Sequence, residues 1–277
     1  LILKKIFSEE EAALACELTG SYEPVSVLAQ RFGLAEEDLK TRLIGMARQG
    51  LVWLSKKDSK WSFRLAPFVV GIYESSMEKM DHDFAHLIEE YLEHGGAEGI
   101  MKPQPALHRV IPAQGAVKSE WILPYDDIKA MLDKAKSFSV RDCICRMQQD
   151  MLKSRRCSFS LKNCLSFSPT ERPSRPNDIT KEEAIAILDE AERVGLVHCV
   201  SNVIKDLFYI CNCCGCCCGI LRGITDWGIE ESVARANYHA QVDTNECTGC
   251  GVCVERCQVK AITLKEDVAV VDHGKCI

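Results

Sequence analysis

The chain has 277 residues, 47% hydrophobic and 27% charged, with a formal net charge of −6 from 34 Lys and Arg against 40 Asp and Glu. That length allows two or three domains with real cores, and the acidic balance excludes a generic polyanion binder. No run of about 18 apolar residues and no cationic leader marks a membrane span or a secretory signal.

Cysteine is the outlier. Its odd total of 17 argues against a closed disulfide framework and for metal ligation in a reducing, cytoplasmic setting. Only Cys16 precedes residue 140, so a metal-free half gives way to a metal-rich half between about 120 and 140.

Residues 1–70 predict three helices and a hairpin. Ser8 and Glu11 form a capping box before Ala12, Ala13, Leu14 and Leu18. Pro24 opens a second helix that stops at Gly33. A third runs from about Ala35 to Gln49, with Leu39, Leu43, Ile44 and Ala47 on one face and Gly50 as its stop. Leu51–Leu54 and Trp61–Leu65 then flank the polar turn Lys56–Lys60. Three helices and a hairpin resemble a winged helix-turn-helix domain, here residues 1–72.

Residues 74–94 predict one amphipathic helix, with Met77, Met80, Phe84, Leu87, Ile88 and Tyr91 on its apolar face. His82, His86 and Glu90 stand at i, i+4 and i+8. Metal binding there is weighed against a solvated face, which the charge pattern favours. Gly95, Gly96, Pro103, Pro105, Pro112 and Pro124 mark 95–124 as an irregular connector, completing a segment 73–124. A short helix with Ile128, Met131, Leu132 and Ala135 inward should follow. Thr180 and Glu183 cap a longer one, with Ala184, Ile185, Leu188, Ala191 and Val194 buried and Gly195 as its end. The cysteine-rich segment 125–240 is therefore expected to be an α-containing domain, and the fold class α+β.

The strongest signal is Cys247-Thr-Gly-Cys250-Gly-Val-Cys253-Val-Glu-Arg-Cys257, the C-x2-C-x2-C-x3-C spacing of bacterial ferredoxins. Three thiolates must reach three corners of one cubane, so the backbone must coil tightly, and Gly249 and Gly251 allow that approach. Zinc is more often held by two separated C-x2-C knuckles. A hairpin is expected through Asp267–Asp272, then Cys276. Eighteen residues separate Cys257 from Cys276. In two-cluster ferredoxins, which segment 241–277 resembles, a second such run would begin there. The resemblance implies two [4Fe–4S] clusters in the whole domain and a native chain that continues past Ile277. Gln258 stands where ferredoxins usually have proline.

Cys143, Cys145, Cys157 and Cys164 precede the string Cys211-Asn-Cys213-Cys214-Gly-Cys216-Cys217-Cys218, which packs six cysteines into eight residues. Thiolates so crowded repel one another unless a metal neutralises them. These ten are candidate metal ligands, with Cys199 left out. They suffice for one or two further iron–sulfur clusters, with zinc or a redox dithiol as alternatives, and one cysteine of each adjacent set should face away. The order VRDCICR, TKEEAIAILDEAERVGLVH, ICNCCGCCCGILR, ECTGCGVCVERC resembles a family of anaerobe 4Fe–4S dicluster-ferredoxin-domain proteins with an upstream cysteine-rich domain, over roughly 120–277. The resemblance implies iron–sulfur binding and electron transfer, and no substrate.

The favoured function is electron relay to or from a partner oxidoreductase, more as a carrier or subunit than as a stand-alone enzyme. No nucleotide fingerprint and no catalytic triad competes with it. A redox- or iron-responsive winged-helix transcription regulator is the alternative. Residues 24–64 carry eight Lys and Arg against four Asp and Glu. The third helix, however, begins Glu36-Glu37-Asp38, where a recognition helix meets phosphates. Protein docking or homodimerisation through the winged-helix-like segment therefore ranks above DNA. The third alternative is an enzyme subunit with an unusual cluster, for which Arg146, His198 and Asn212 are the polar neighbours. His198 is expected at the end of its helix, facing the dipole.

Overall fold

The computed structural model describes residues 1–277, which divide into two units, Leu1–Glu90 and Tyr91–Ile277. In the first, α1 (Ile2–Ile6) precedes α2 (Glu9–Cys16), which starts at the expected box: Ser8 Oγ accepts from Glu11 N–H and Glu11 accepts from Ser8 N–H. Then come β1 (Glu23–Pro24), α3 (Val25–Phe32), α4 (Glu36–Arg48), β2 (Val52–Lys57) and β3 (Lys60–Leu65). Gly33 ends α3 in the left-handed region at φ 64°, a conformation that favours glycine. The antiparallel sheet runs β1-β3-β2, and its β2–β3 register closes on a two-residue turn in which Asp58 and Ser59 both have positive φ. Leu14, Leu28, Leu39, Leu43, Met46 and Phe63 form the interior.

The single helix expected over 74–94 is broken. The chain forms α5 (Tyr73–Ser75), a 3-10 turn at Met77–Lys79, and α6 (His82–Tyr91). Asp81 causes the restart: its carboxylate accepts from Phe84 N–H at 2.6 Å and pairs with Lys5 at 3.0 Å. His82 and His86 pack edge to face, with ring centroids 4.5 Å apart.

The second unit continues with α7 (Ala97–Met101), β4 (His108–Ile111), α8 (Ile128–Asp133), β5 (Ser137–Asp142), α9 (Ile144–Met151), β6 (Lys162–Ser168), β7 (Asp178–Ile179) and α10 (Lys181–Val194). It ends with β8 (Val197–Ser201), β9 (Tyr209–Cys213), α11 (Arg222–Thr225), β10 (Val233–Ala234), α12 (Val252–Arg256), β11 (Ile262–Lys265) and β12 (Val268–Val271). Seven strands form one sheet in the order β10-β4-β8-β9-β6-β5-β7, all antiparallel except β10 with β4.

One expectation is corrected here. Residues 95–124 are no loose connector, because they supply β4, a wholly buried strand between β10 and β8, bracketed by Pro105 and Pro112. The cysteine-rich segment contains helices as expected, and they cover a sheet. Side chains alternate across a strand, so the sheet's two faces differ. Phe138, Leu165, Phe167, Val200 and Ile210 pack with Ala184 and Leu188 of α10 and with Ile128 and Leu132 of α8. The pairings Cys164↔Cys211 and Cys199↔Cys211 align three thiols in one row across β6, β9 and β8. Leu165↔Ile210, one residue along, is the neighbouring row, which alternation turns to the helical side.

Arg109 on β4 is buried against Asp126, and its guanidinium also donates to the Tyr125 carbonyl. His108 beside it is buried, packs on the Tyr209 ring at 5.8 Å, and has no hydrogen-bond partner on either ring nitrogen. Burial pushes its pKa down to about 4. Between pH 4 and 6.5 the unfolded chain then binds the proton that the folded chain refuses, so stability rises with pH through that window. Urea unfolding of wild type and His108→Phe between pH 7.5 and 4.5 should show the wild type alone losing about 3 kcal/mol from this group as pH falls.

Candidate metal centres

Cys157, in the loop after α9, meets Cys214, Cys216 and Cys217 of the turn after β9. All four sulfurs lie within 4.8 Å of one another, with Cys157–Cys214 at 3.9 Å, Cys157–Cys217 at 3.7 Å and Cys216–Cys217 at 3.5 Å. Four thiolates around one tetrahedral ion, each about 2.3 Å from it, stand about 3.8 Å apart. The quartet therefore fits a single tetrahedral ion. A cubane, whose ligands sit on separate irons, asks for a wider set. Hydrogen bonds from Cys216 and Cys217, with Arg146 beyond, hold the Cys214 thiol well below the ordinary thiol range. The same contacts push Cys216 up to about 12 and Cys217 higher still. A bound cation would replace the protons these crowded thiols carry.

The other upstream thiols form a second set. Thiol–thiol interactions run from Cys143 to Cys145, Cys218, Cys213, Cys211, Cys164 and back to Cys143. Cys164 and Cys211 are 3.8 Å apart. Cys199 joins at Cys213. The adjacent pairs are divided between the sets: Cys213 faces the ring and Cys214 the quartet, Cys217 the quartet and Cys218 the ring. One cysteine of each adjacent set thus faces away, as expected, and meets the other group of thiols.

Arg146 lies between the two sets, fully buried in the first turn of α9. It donates to the carbonyls of Ser160 at 2.7 Å and Asn212 at 2.9 Å, and it faces Cys143, Cys214 and Cys213. Behind β9, Asn212 donates to Asn163 O at 3.0 Å and meets His198 Nδ1 at 2.7 Å. His198 Nε2 lies 3.4 Å from Glu192, whose carboxyl that contact lowers to about 2. His198 is thus on β8, not at a helix end, because Gly195 at φ 82° has already closed α10.

The ferredoxin-type segment is a loop, α12 and a hairpin of β11 and β12. The hairpin turns at Glu266 and Asp267, slightly earlier than expected. Gly249 and Gly251 take φ 68° and 77°, and a Cβ on Gly249 would stand 2.4 Å from the Asp267 carbonyl. Ala269 N–H donates to Cys247 Sγ at 3.3 Å and Ala261 N–H to Cys257 Sγ at 3.1 Å, while Val252 N–H lowers the Cys250 thiol. No three of these four thiols crowd together as the quartet does. Half-buried and exposed thiols on a glycine-bent loop with N–H groups on sulfur suit a cubane. Cys276 follows β12 in a turn closed by Asp272 and stands apart from quartet and ring.

Gln258 holds this segment to the cysteine-rich turn. Its Oε1 accepts from Gly215 N–H at 3.1 Å, and a Cβ on Gly215 would fall 1.9 Å from its carbonyl oxygen. The cleft beside the contact, about 460 Å³, is lined by Cys157, Cys216, Cys257, Arg156 and Lys260 among others.

Cys199 escaped the sequence because its meaning is one of register: it becomes a neighbour only when β8 pairs with β9. Gln258 was visible as a departure from the ferredoxin pattern, although its role was not.

Residues 240–263 match the family described as 4Fe-4S binding domain. No curated protein and no solved structure matches the chain. With the thiol sets above, that match supports iron–sulfur binding and electron transfer in general terms. Gly249→Ala should cost the loop most of its iron, because the new methyl meets backbone at a positive φ. Iron and sulfide counts after anaerobic reconstitution, against wild type, check this.

Proposed function

We propose that the protein is an electron carrier in which the ferredoxin-type segment and the cysteine-rich sheet form one relay, serving a partner oxidoreductase. The observation that carries this reading is the shared cleft: Cys257 on one side and Cys157 and Cys216 on the other, with the Gln258–Gly215 hydrogen bond between Cys214 and Cys216 closing its edge. In this reading Cys247, Cys250 and Cys253 hold one cubane, and Cys257 and Cys276 belong to the ligand set of a second, as in two-cluster ferredoxins. A bound [4Fe–4S] cluster supplies reversible one-electron chemistry. The chain's part is to hold the sulfurs, direct N–H groups at them and fix the distance between centres. The quartet's spacing supports one tetrahedral ion, iron or zinc.

Residues 1–72 serve in this reading as a winged-helix-like docking or pairing module. DNA binding has less support. Glu36, Glu37 and Asp38 fill the first turn of α4, and Lys40 and Arg42 of the same helix pair with Glu37 and Asp38 at 2.5 Å and 3.4 Å. A third reading, as an enzyme subunit, draws nothing further from Arg146, His198 and Asn212, whose contacts are with backbone, with one another, with Glu192 and with cysteine sulfurs.

Anaerobically purified full chain should be reduced and reoxidised reversibly by EPR-monitored titration, with no duplex binding that responds to salt or oxidation. Salt-sensitive binding that changes with oxidation would move the function to the regulator reading. Gln258→Pro removes the acceptor for Gly215 N–H without touching a thiol, a loss of about 1 kcal/mol of docking. It should leave metal content unchanged and slow electron equilibration between the two segments, followed by freeze-quench EPR. Unchanged rates would deny the contact its role.

A further inference from the structure

The buried charge in the cysteine-rich sheet lacks the partner such charges normally have. Arg146 has no carboxylate in contact; its two terminal nitrogens reach backbone carbonyls, its Nε has no hydrogen-bond partner, and its charge faces Cys143, Cys213 and Cys214. An isolated buried guanidinium is costly, so anions must stand beside it, and sulfur is what stands there. Two of the three sulfurs belong to the ring. Neutral thiols packed as small hydrophobes would leave that charge uncompensated.

The ring is also shaped differently from the quartet. Cys164 and Cys211 lie 3.8 Å apart on paired strands, and the six thiols do not close into a compact group as the quartet does. One tetrahedral ion takes four ligands, fewer than the thiols gathered here. Cys213 and Cys218 are buried, while Cys143, Cys145, Cys164 and Cys211 are half-buried. Cys143 occupies the N-cap of α9, so its sulfur stands at the positive end of that helix. A helix N-terminus favours anionic sulfur.

We propose that Cys143, Cys145, Cys164, Cys211, Cys213 and Cys218 cradle a sulfide-bridged polynuclear iron cluster, separate from the single-ion site of Cys157, Cys214, Cys216 and Cys217. The proposal deepens the electron-carrier reading and rests on it for the identity of the metal. Arg146 is the positioning charge between the two centres, and Cys199 is a seventh thiol behind Cys213.

The test uses the full chain, reconstituted anaerobically with ferrous iron and sulfide alone and assayed for iron and acid-labile sulfide, with Mössbauer spectra of ⁵⁷Fe-loaded protein. A variant with Cys164→Ser and Cys211→Ser should lose several irons together with sulfide. Cys216→Ser should lose one metal and no sulfide. The converse variant, with Cys247, Cys250 and Cys253 all replaced by Ser, leaves the ring untouched and should retain sulfide-bridged iron, whatever ring substitutions do to folding. Complete loss of sulfide in that variant overturns the ring cluster and leaves the ferredoxin-type reading standing. Wild type that takes up no sulfide at all overturns both. Arg146→Lys should keep the iron and shift the midpoint potential of the ring cluster, and an unchanged potential would remove Arg146 from its positioning role.

Discussion

Sulfur and a buried guanidinium impose the constraint on which the cysteine-rich unit depends. Arg146 is fully buried at the start of α9, and β9 passes its Asn212 carbonyl to it at 2.9 Å. A cation there requires negative charge nearby, and thiols supply it only if they ionise. The interior thus sets a buried cation among sulfurs, an arrangement that agrees with the metal-binding reading drawn from cysteine spacing.

The sheet distributes these charges. Alternation along β9 sends Cys211 and Cys213 to one face and Asn212 to the other, where Asn163, His198 and Glu192 extend a polar chain to α10. That chain fixes the strand between two thiols without bringing an oxygen ligand to the sulfur side. A one-residue slip of β9 would exchange the faces, putting asparagine among the thiols and cysteine against the helical core. The buried apolar row of Leu165 and Ile210 opposes such a slip.

Much of this was legible in the residues. Both capping boxes, the glycine helix ends and the hairpin of the first unit follow local rules that need no tertiary knowledge, and the ferredoxin spacing is itself a local geometry. Other features were not legible because they are agreements between distant segments. β4 hides among prolines and becomes a strand only by lying between β8 and β10. The break before α6 depends on Asp81, whose capping role competes with an unbroken apolar period. The ten upstream cysteines were legible as candidate ligands, yet their sorting into quartet and ring depends on which way each strand residue points. Cys199 shows the same limit, since nothing in Val-His-Cys-Val tells that Cys211 will be its partner.

Vicinal cysteines are usually awkward, because neighbouring side chains diverge. Here the divergence becomes a connection. Cys213 serves the ring and Cys214 the quartet, and so, in the opposite sense, do Cys218 and Cys217. Two sulfur sets that share no side chain are therefore wired together twice through a single peptide unit. For two metal centres held as proposed, that route would be covalent and only one peptide long.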